Sequence, residues 1–362
     1  MRFKVRSRNS LALITSVALL LSRNVCAQGL PKITADRSEI IGKLTNYQFS
    51  QLDAELSTYE KHAERDPRFE MNAMAAFAAF ATSDVLISDR IDKWTQVSPN
   101  SYAAAMASAV CLTETAFRWR GTNAIDDTPS ANIQAMNDNL GQAGHQLSRA
   151  LALNPNLALA YAMRIKAARL GGTPEDVERA KNEALARVPD SFSVREQIMY
   201  ALEPRWGGSR EEMKKFSEAS QAYAGKNPAM TFLKAFIPMD IAVDAEDAGQ
   251  PEQAISYYTQ AVKEGGEYWT TYRRRAGAYA RMQRWDQALA DAKRANQLFP
   301  DNSEVLQLLA TAAAQTGDPT ASLNWLVLYT KFEVPGSSVA QLVAIDRRAL
   351  EAQAAATPVA AQ

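Results

Sequence analysis

The sequence predicts an all-α protein, an α-solenoid of stacked helical hairpins preceded by an irregular helical region. Three observations carry this reading. Apolar residues recur at helical spacing through long stretches rich in Ala, Leu, Met, Gln and Glu. Gly and Pro interrupt those stretches at turn-like places, and strand-like alternation is weak throughout. Related segments also recur at a separation of 34 residues.

The chain has 362 residues, of which 47% are hydrophobic and 22% charged, proportions that exclude a disordered or collagen-like chain. The N-terminus reads as a secretory signal peptide over residues 1–27. Arg2, Lys4, Arg6 and Arg8 precede the apolar stretch 11–21, and Val25 and Ala27 place small residues before Gln28. Eleven helical residues reach about 16 Å, roughly half a bilayer, which disfavours a permanent anchor. Arg23 lies where a lipidated Cys26 would need an aliphatic neighbour. Cleavage after Ala27 is therefore expected, with a periplasmic or secreted product. Without that segment 35 basic residues face 40 acidic ones, a charge of −5 that gives no reason to expect nucleic acid or anionic lipid as partner. Cys111 is then a lone thiol, in an apolar run that marks it as core.

Residues 35–135 form the N-terminal helical region, without a clean 34-residue pattern. Phe49, Leu52, Leu56 and Tyr59 share one helical face; Leu86, Ile91 and Trp94 suggest another. The run 121–130 reads as a loop. Residues 136–230 are divergent repeats: Pro155 and Pro189 lie 34 apart, each after an Ala-rich helix. Thr173-Pro174 and Asp318-Pro319 are helix starts, and Gly207-Gly208-Ser209 turns the chain into a capping box ending at Glu212. Residues 235–335 carry the clearest register. Ala254, Tyr258 and Ala261 align with Ala288, Ala292 and Ala295, with Tyr272, Ala276, Tyr279 and Pro300 at intermediate places. Residues 336–362 are expected to form a capping helix and a flexible tail.

That pattern of large, small, Tyr, Ala, Ala and Pro resembles the tetratricopeptide-repeat family over roughly 140–190 and 235–335. Arg275 and Ala292 depart from it, standing where the family carries Leu and a large aromatic. The resemblance implies a concave face lined by the first helix of each hairpin and used to hold a protein or peptide. Its inward positions would be Arg273, Gly277, Arg281, Gln307 and Thr311, with the arginines suited to a carboxylate. A second likeness rests on Trp119-Arg120-Gly121, Leu153-Asn154-Pro155 and Glu203-Pro-Arg-Trp-Gly-Gly-Ser209 in that order. It is similar to a bacterial family of exported or membrane-associated proteins, a domain of unknown function joined to helical repeats, which brings no activity with it.

Catalytic signatures are missing. The two histidines, His62 and His145, stand apart from any Cys or carboxylate array, so no metal or other cofactor is expected. Phosphate loops, dinucleotide fingerprints and serine elbows do not occur, and the chain is not expected to be an enzyme. The expected function is a scaffold or adaptor for a protein or peptide partner, its oligomeric state left open. The alternative is an envelope enzyme or small-ligand binder using a pocket of Arg120, Arg205 and Trp206, where Arg offers a fork and Trp a stacking face. Against that, the Arg205–Ser209 segment also reads as a plain turn, with Trp206 plugging the junction and Arg205 capping carbonyls.

Overall fold

The computed structural model describes residues 29–121 and 127–330, together with 348, 351 and 352. The signal-peptide segment, residues 122–126 of the 121–130 loop and nearly all of 336–362 lie outside the described residues. Every regular element among the described residues is helical. None of those helices is long and apolar enough to cross a membrane.

Four helices make up the N-terminal unit: α1 (Arg37–Thr45), α2 (Phe49–Arg65), α3 (Glu70–Ala78) and α4 (Val85–Val97). Side-chain caps set the starts of α1 and α4. Asp36 accepts from the Glu39 amide, and Asp84 accepts from the Leu86 amide at 2.8 Å. On α2 the buried face is Phe49, Leu52 and Leu56; on α4 it is Ile87, Ile91 and Trp94. Ile87, rather than Leu86, is the fully buried first member of that second face.

Twelve further helices follow as six antiparallel pairs, counted among the described residues. They are α5 (Tyr102–Arg120) with α6 (Ser130–Leu153), α7 (Ala158–Gly171) with α8 (Pro174–Arg187), and α9 (Phe192–Ala201) with α10 (Arg210–Ser220). After a 3-10 segment over Pro228–Ala235 come α11 (Phe236–Asp247) with α12 (Pro251–Gly265), α13 (Trp269–Arg281) with α14 (Trp285–Leu298), and α15 (Ser303–Gln315) with α16 (Pro319–Thr330). The 34-residue register reappears in the helix starts: 158 and 192; 269 and 303; 251, 285 and 319. Thr173 and Asp176 form a complete capping box at the start of α8, and Asp318 accepts from the Ala321 amide at 2.8 Å where α16 begins.

Small residues allow the close approach of paired helices. Ala276, Ala288, Ala292 and Ala295 are all buried. At Gly265 an added Cβ would lie 2.5 Å from the Ala235 side chain and 2.8 Å from its backbone nitrogen, so only glycine fits. The two departures from the repeat pattern are both accommodated. Ala292 packs in the last core cluster, and Arg275 is held by Asp291 through bonds of 2.7 and 2.9 Å.

Three apolar clusters run along the molecule. The first joins the N-terminal unit to the first hairpins and includes buried Cys111, whose Sγ donates to the Thr82 carbonyl and whose pKa burial pushes up to about 11. In the second, Ile33, Met71 and Ala75 pack with residues of α9, α11 and α12 and with Tyr268. The N-terminal unit is therefore folded onto the repeats rather than appended to them. It also reaches far along them: the Arg37 guanidinium donates to the Asp301 carbonyl at 3.3 Å and to the Ser303 hydroxyl, 264 and 266 residues away in sequence.

Candidate functional site

Five first-of-pair helices, α5, α7, α9, α13 and α15, turn side chains into one shared cavity of about 920 Å³. The end of α5 supplies Glu114, Phe117 and Arg120; α7 supplies Lys166 and Arg169, one turn apart. From α9 come Gln197 and Tyr200, and from the turn after it Glu203, Arg205 and Trp206. Arg273 and Arg274 of α13 and Glu304 of α15 complete the wall. Six cations thus face three carboxylates.

The carboxylates are engaged. Glu304 pairs with Arg273, Glu203 with Arg205 at 3.0 Å, and Glu114 lies 3.9 Å from both Lys166 and Arg118. Burial pulls the Lys166 ammonium below its ordinary value, with Glu114 opposing, and pulls the Arg169 guanidinium down against the pull of Glu203. Burial likewise lifts the Glu203 carboxyl, opposed first by Arg205 and then by Arg274. The Nε atoms of Arg169, Arg273 and Arg274 and the Oε1 of Gln197 are buried and have no hydrogen-bond partner among the described residues. Three guanidinium N–H groups left over at one cavity constitute unused donor capacity for an acceptor.

The sequence-derived candidates divide on this geometry. Arg120, Arg205 and Trp206 line the same cavity as Arg273, although they were reached by separate arguments. Gly277, Arg281, Gln307 and Thr311 do not line it. Arg281 is exposed and pairs with Glu246; Gln307 donates to the Tyr329 hydroxyl at 3.0 Å; Thr311 is exposed. Arg273–Arg275 is not a solvated run, because Arg273 and Arg274 line the cavity and Arg275 turns to Asp291. Tyr258 and Trp269 pack in the core clusters. The residues that sequence reasoning passed over are Lys166, Arg169, Tyr200, Glu203 and Arg274. A lysine and an arginine three apart on an otherwise Ala-rich helix were the available signal.

No protein-family model matches the chain, and no curated protein matches it. Similar solved structures include PilW, a type IV pilus biogenesis factor, at a TM-score of 0.33 and 16% identity, covering 62% of this chain and 100% of that one. PilF of Pseudomonas aeruginosa has a TM-score of 0.33 and 16% identity, covering 60% and 96%. The Cut9–Hcn1 hetero-tetramer of APC/C gives 0.34 and 12%, covering 81% of this chain and 58% of that one. What the site can do is therefore read from its own residues.

The Arg205–Ser209 turn is both structural and part of the wall. Gly207 sits at φ +91°, a left-handed position, and Ser209 starts α10 by accepting from the Glu212 amide at 3.3 Å. Arg205 caps no carbonyl here; it bridges Glu203 and, at 3.4 Å, Asp240. Trp206 lies under the Arg169 guanidinium, 4.7 Å from ring centre to Cζ. A Cβ on Gly208 would stand 2.3 Å from the Leu202 carbonyl oxygen. Gly208→Ala is accordingly expected to destabilise the fold by about 1–3 kcal/mol and displace Trp206. Urea unfolding would check this, and an unchanged midpoint would refute the turn geometry.

Proposed function

We propose that this chain is an exported helical-repeat protein that holds a partner protein by seating an acidic segment of it in the cationic cavity. The observation that carries the reading is the convergence of six cationic side chains, from three helices and one turn, beside three carboxylates, with three buried guanidinium Nε groups unpartnered among the described residues. An ion pair in such a partly desolvated place is stronger than on a free surface, about 4 kcal/mol at 4 Å before desolvation is charged against it. Export and cleavage after Ala27, to a periplasmic or secreted location, are supported by the basic, apolar and small-residue order of residues 1–27.

The test is binding of fluorescent Asp/Glu-rich peptides to the purified chain, read by anisotropy at two salt concentrations. Saturable binding that weakens with salt is expected, and Arg273→Glu with Arg274→Glu should weaken it about tenfold or more. Equal affinity of the double variant would overturn the reading. A second reading is favoured by one observation, the cavity volume, which falls in the range of small-molecule sites. In that case a small anionic ligand would bind through Arg120, Arg205 and Trp206. Arg205→Ala would then abolish ligand binding while leaving peptide capture intact.

A further inference from the structure

A second cavity, of about 590 Å³, opens where α2 ends, against the start of α7 and the turn between α8 and α9. Its floor holds Glu60, which is 3% exposed and whose Oε1 has no hydrogen-bond partner among the described residues. An unpartnered buried carboxyl is costly, and native structures rarely keep one without a use.

The neighbouring charges explain why nothing inside the protein serves it. Of the nearby donors, Asn154 gives its amide to Glu64 at 2.6 Å, and Asn227 and the first amides of α9 are spent on Glu70. Asp66 is bonded to Arg68, and Lys226 lies 3.7 Å from Asp190. Arg65 and Arg187 remain at the rim, both exposed and in no ion pair among the described residues. The carbonyl ends of α2 and α8 also meet here, which favours positive charge at depth. A ligand of one sign would meet like charge somewhere on this wall. One carrying both signs can set each charge against its opposite.

We propose that this pocket binds a small zwitterion of the free amino-acid class, with its ammonium group against the Glu60 carboxyl, which releases its proton to solvent as the ammonium docks, and its carboxylate toward Arg187 at the rim. The ammonium supplies the donors that Glu60 lacks, and the guanidinium of Arg187 matches a carboxylate in planar geometry. Among the described residues no group of three or more His, Cys, Asp or Glu is placed to hold a metal ion, so an organic cation is the better match. The inference is separate from the acidic-segment reading, since the two cavities share no lining residue.

The experiment titrates the purified chain with the standard L-amino acids, following the melting temperature and binding heat. At least one is expected to bind and to raise the melting temperature, while the matching alkylamine and alkylcarboxylate alone do not. Glu60→Gln, which keeps the shape but cannot ionise to meet the ammonium, and Arg187→Ala should each weaken that binding about tenfold or more. Three results would overturn the proposal: no shift with any amino acid, equal binding by Glu60→Gln, or equal binding of the alkylamine alone.

Discussion

Replacing Glu70 with alanine is expected to cost about 3–5 kcal/mol of stability, the largest effect of any single side chain away from the apolar core. Glu70 opens α3 and is buried. Its carboxylate accepts from the Ser191 hydroxyl at 2.5 Å, the Ser193 hydroxyl at 2.7 Å, the Phe192 and Ser193 amides at 2.6 and 3.0 Å, and Asn227 Nδ2 at 3.0 Å. Burial lifts this carboxyl above its ordinary value, and the hydroxyl and amide donors pull it back. Alanine would leave those donors buried and unpaired, at the point where the N-terminal unit meets α9. Glu70→Gln, which keeps one acceptor oxygen, should fall between. Guanidinium unfolding midpoints check the order. A neutral alanine variant would mean that the junction does not hold the two parts together.

The second expectation concerns pH. Burial, helped by Glu64 and Glu70, pushes the Glu60 carboxyl up to about 8, and burial pushes Glu196, against its bond from the Tyr268 hydroxyl, to about 7. In each case the folded chain keeps a proton that the unfolded chain, titrating near 4.5, gives up. The stabilisation is therefore complete below about 4.5 and is lost as pH rises toward 7 for Glu196 and toward 8 for Glu60. Stability should fall by several kcal/mol in total across that interval, other groups being constant. Glu60→Gln removes its share of the slope and should exceed the parent in stability at pH 8 by a few kcal/mol. Thermal melts between pH 5 and 8 measure both slopes. A parent chain whose stability rises across that range would contradict the burial of both carboxyls.

Local chemistry explains what could be read in advance. Helix starts at Thr173-Pro174, Ser209 and Asp318-Pro319 are decided by a few adjacent residues, and so were legible. The repeat register was legible because close helix packing demands Ala at fixed places such as 276, 288 and 295. Contacts between distant segments left no such trace. Glu70 meets Ser191 across 121 residues, and nothing beside either residue announces the other. The cavity is a stronger case. Arg120, Arg205 and Arg273 fall in two unconnected candidate sets, because their convergence depends on how α5, α7, α9 and α13 pack together across long sequence separations. Arg281, inward by helical phase, is instead claimed by Glu246 on α11, a pairing no periodicity contains.

The bond from Arg37 to the turn before α15 alters what kind of object the repeat array is. An open array is quasi-one-dimensional: each hairpin leans on its neighbours, and the terminal hairpins can fray alone. A tie between an early residue and the start of the last described hairpin turns that line into a loop of chain whose middle cannot be released without also undoing its closure. Local opening at α13 or α14 then carries a penalty set near the other terminus. Hydrogen exchange in the late hairpins should accordingly respond to changes at Arg37, with the distant end of the sequence acting as their brace.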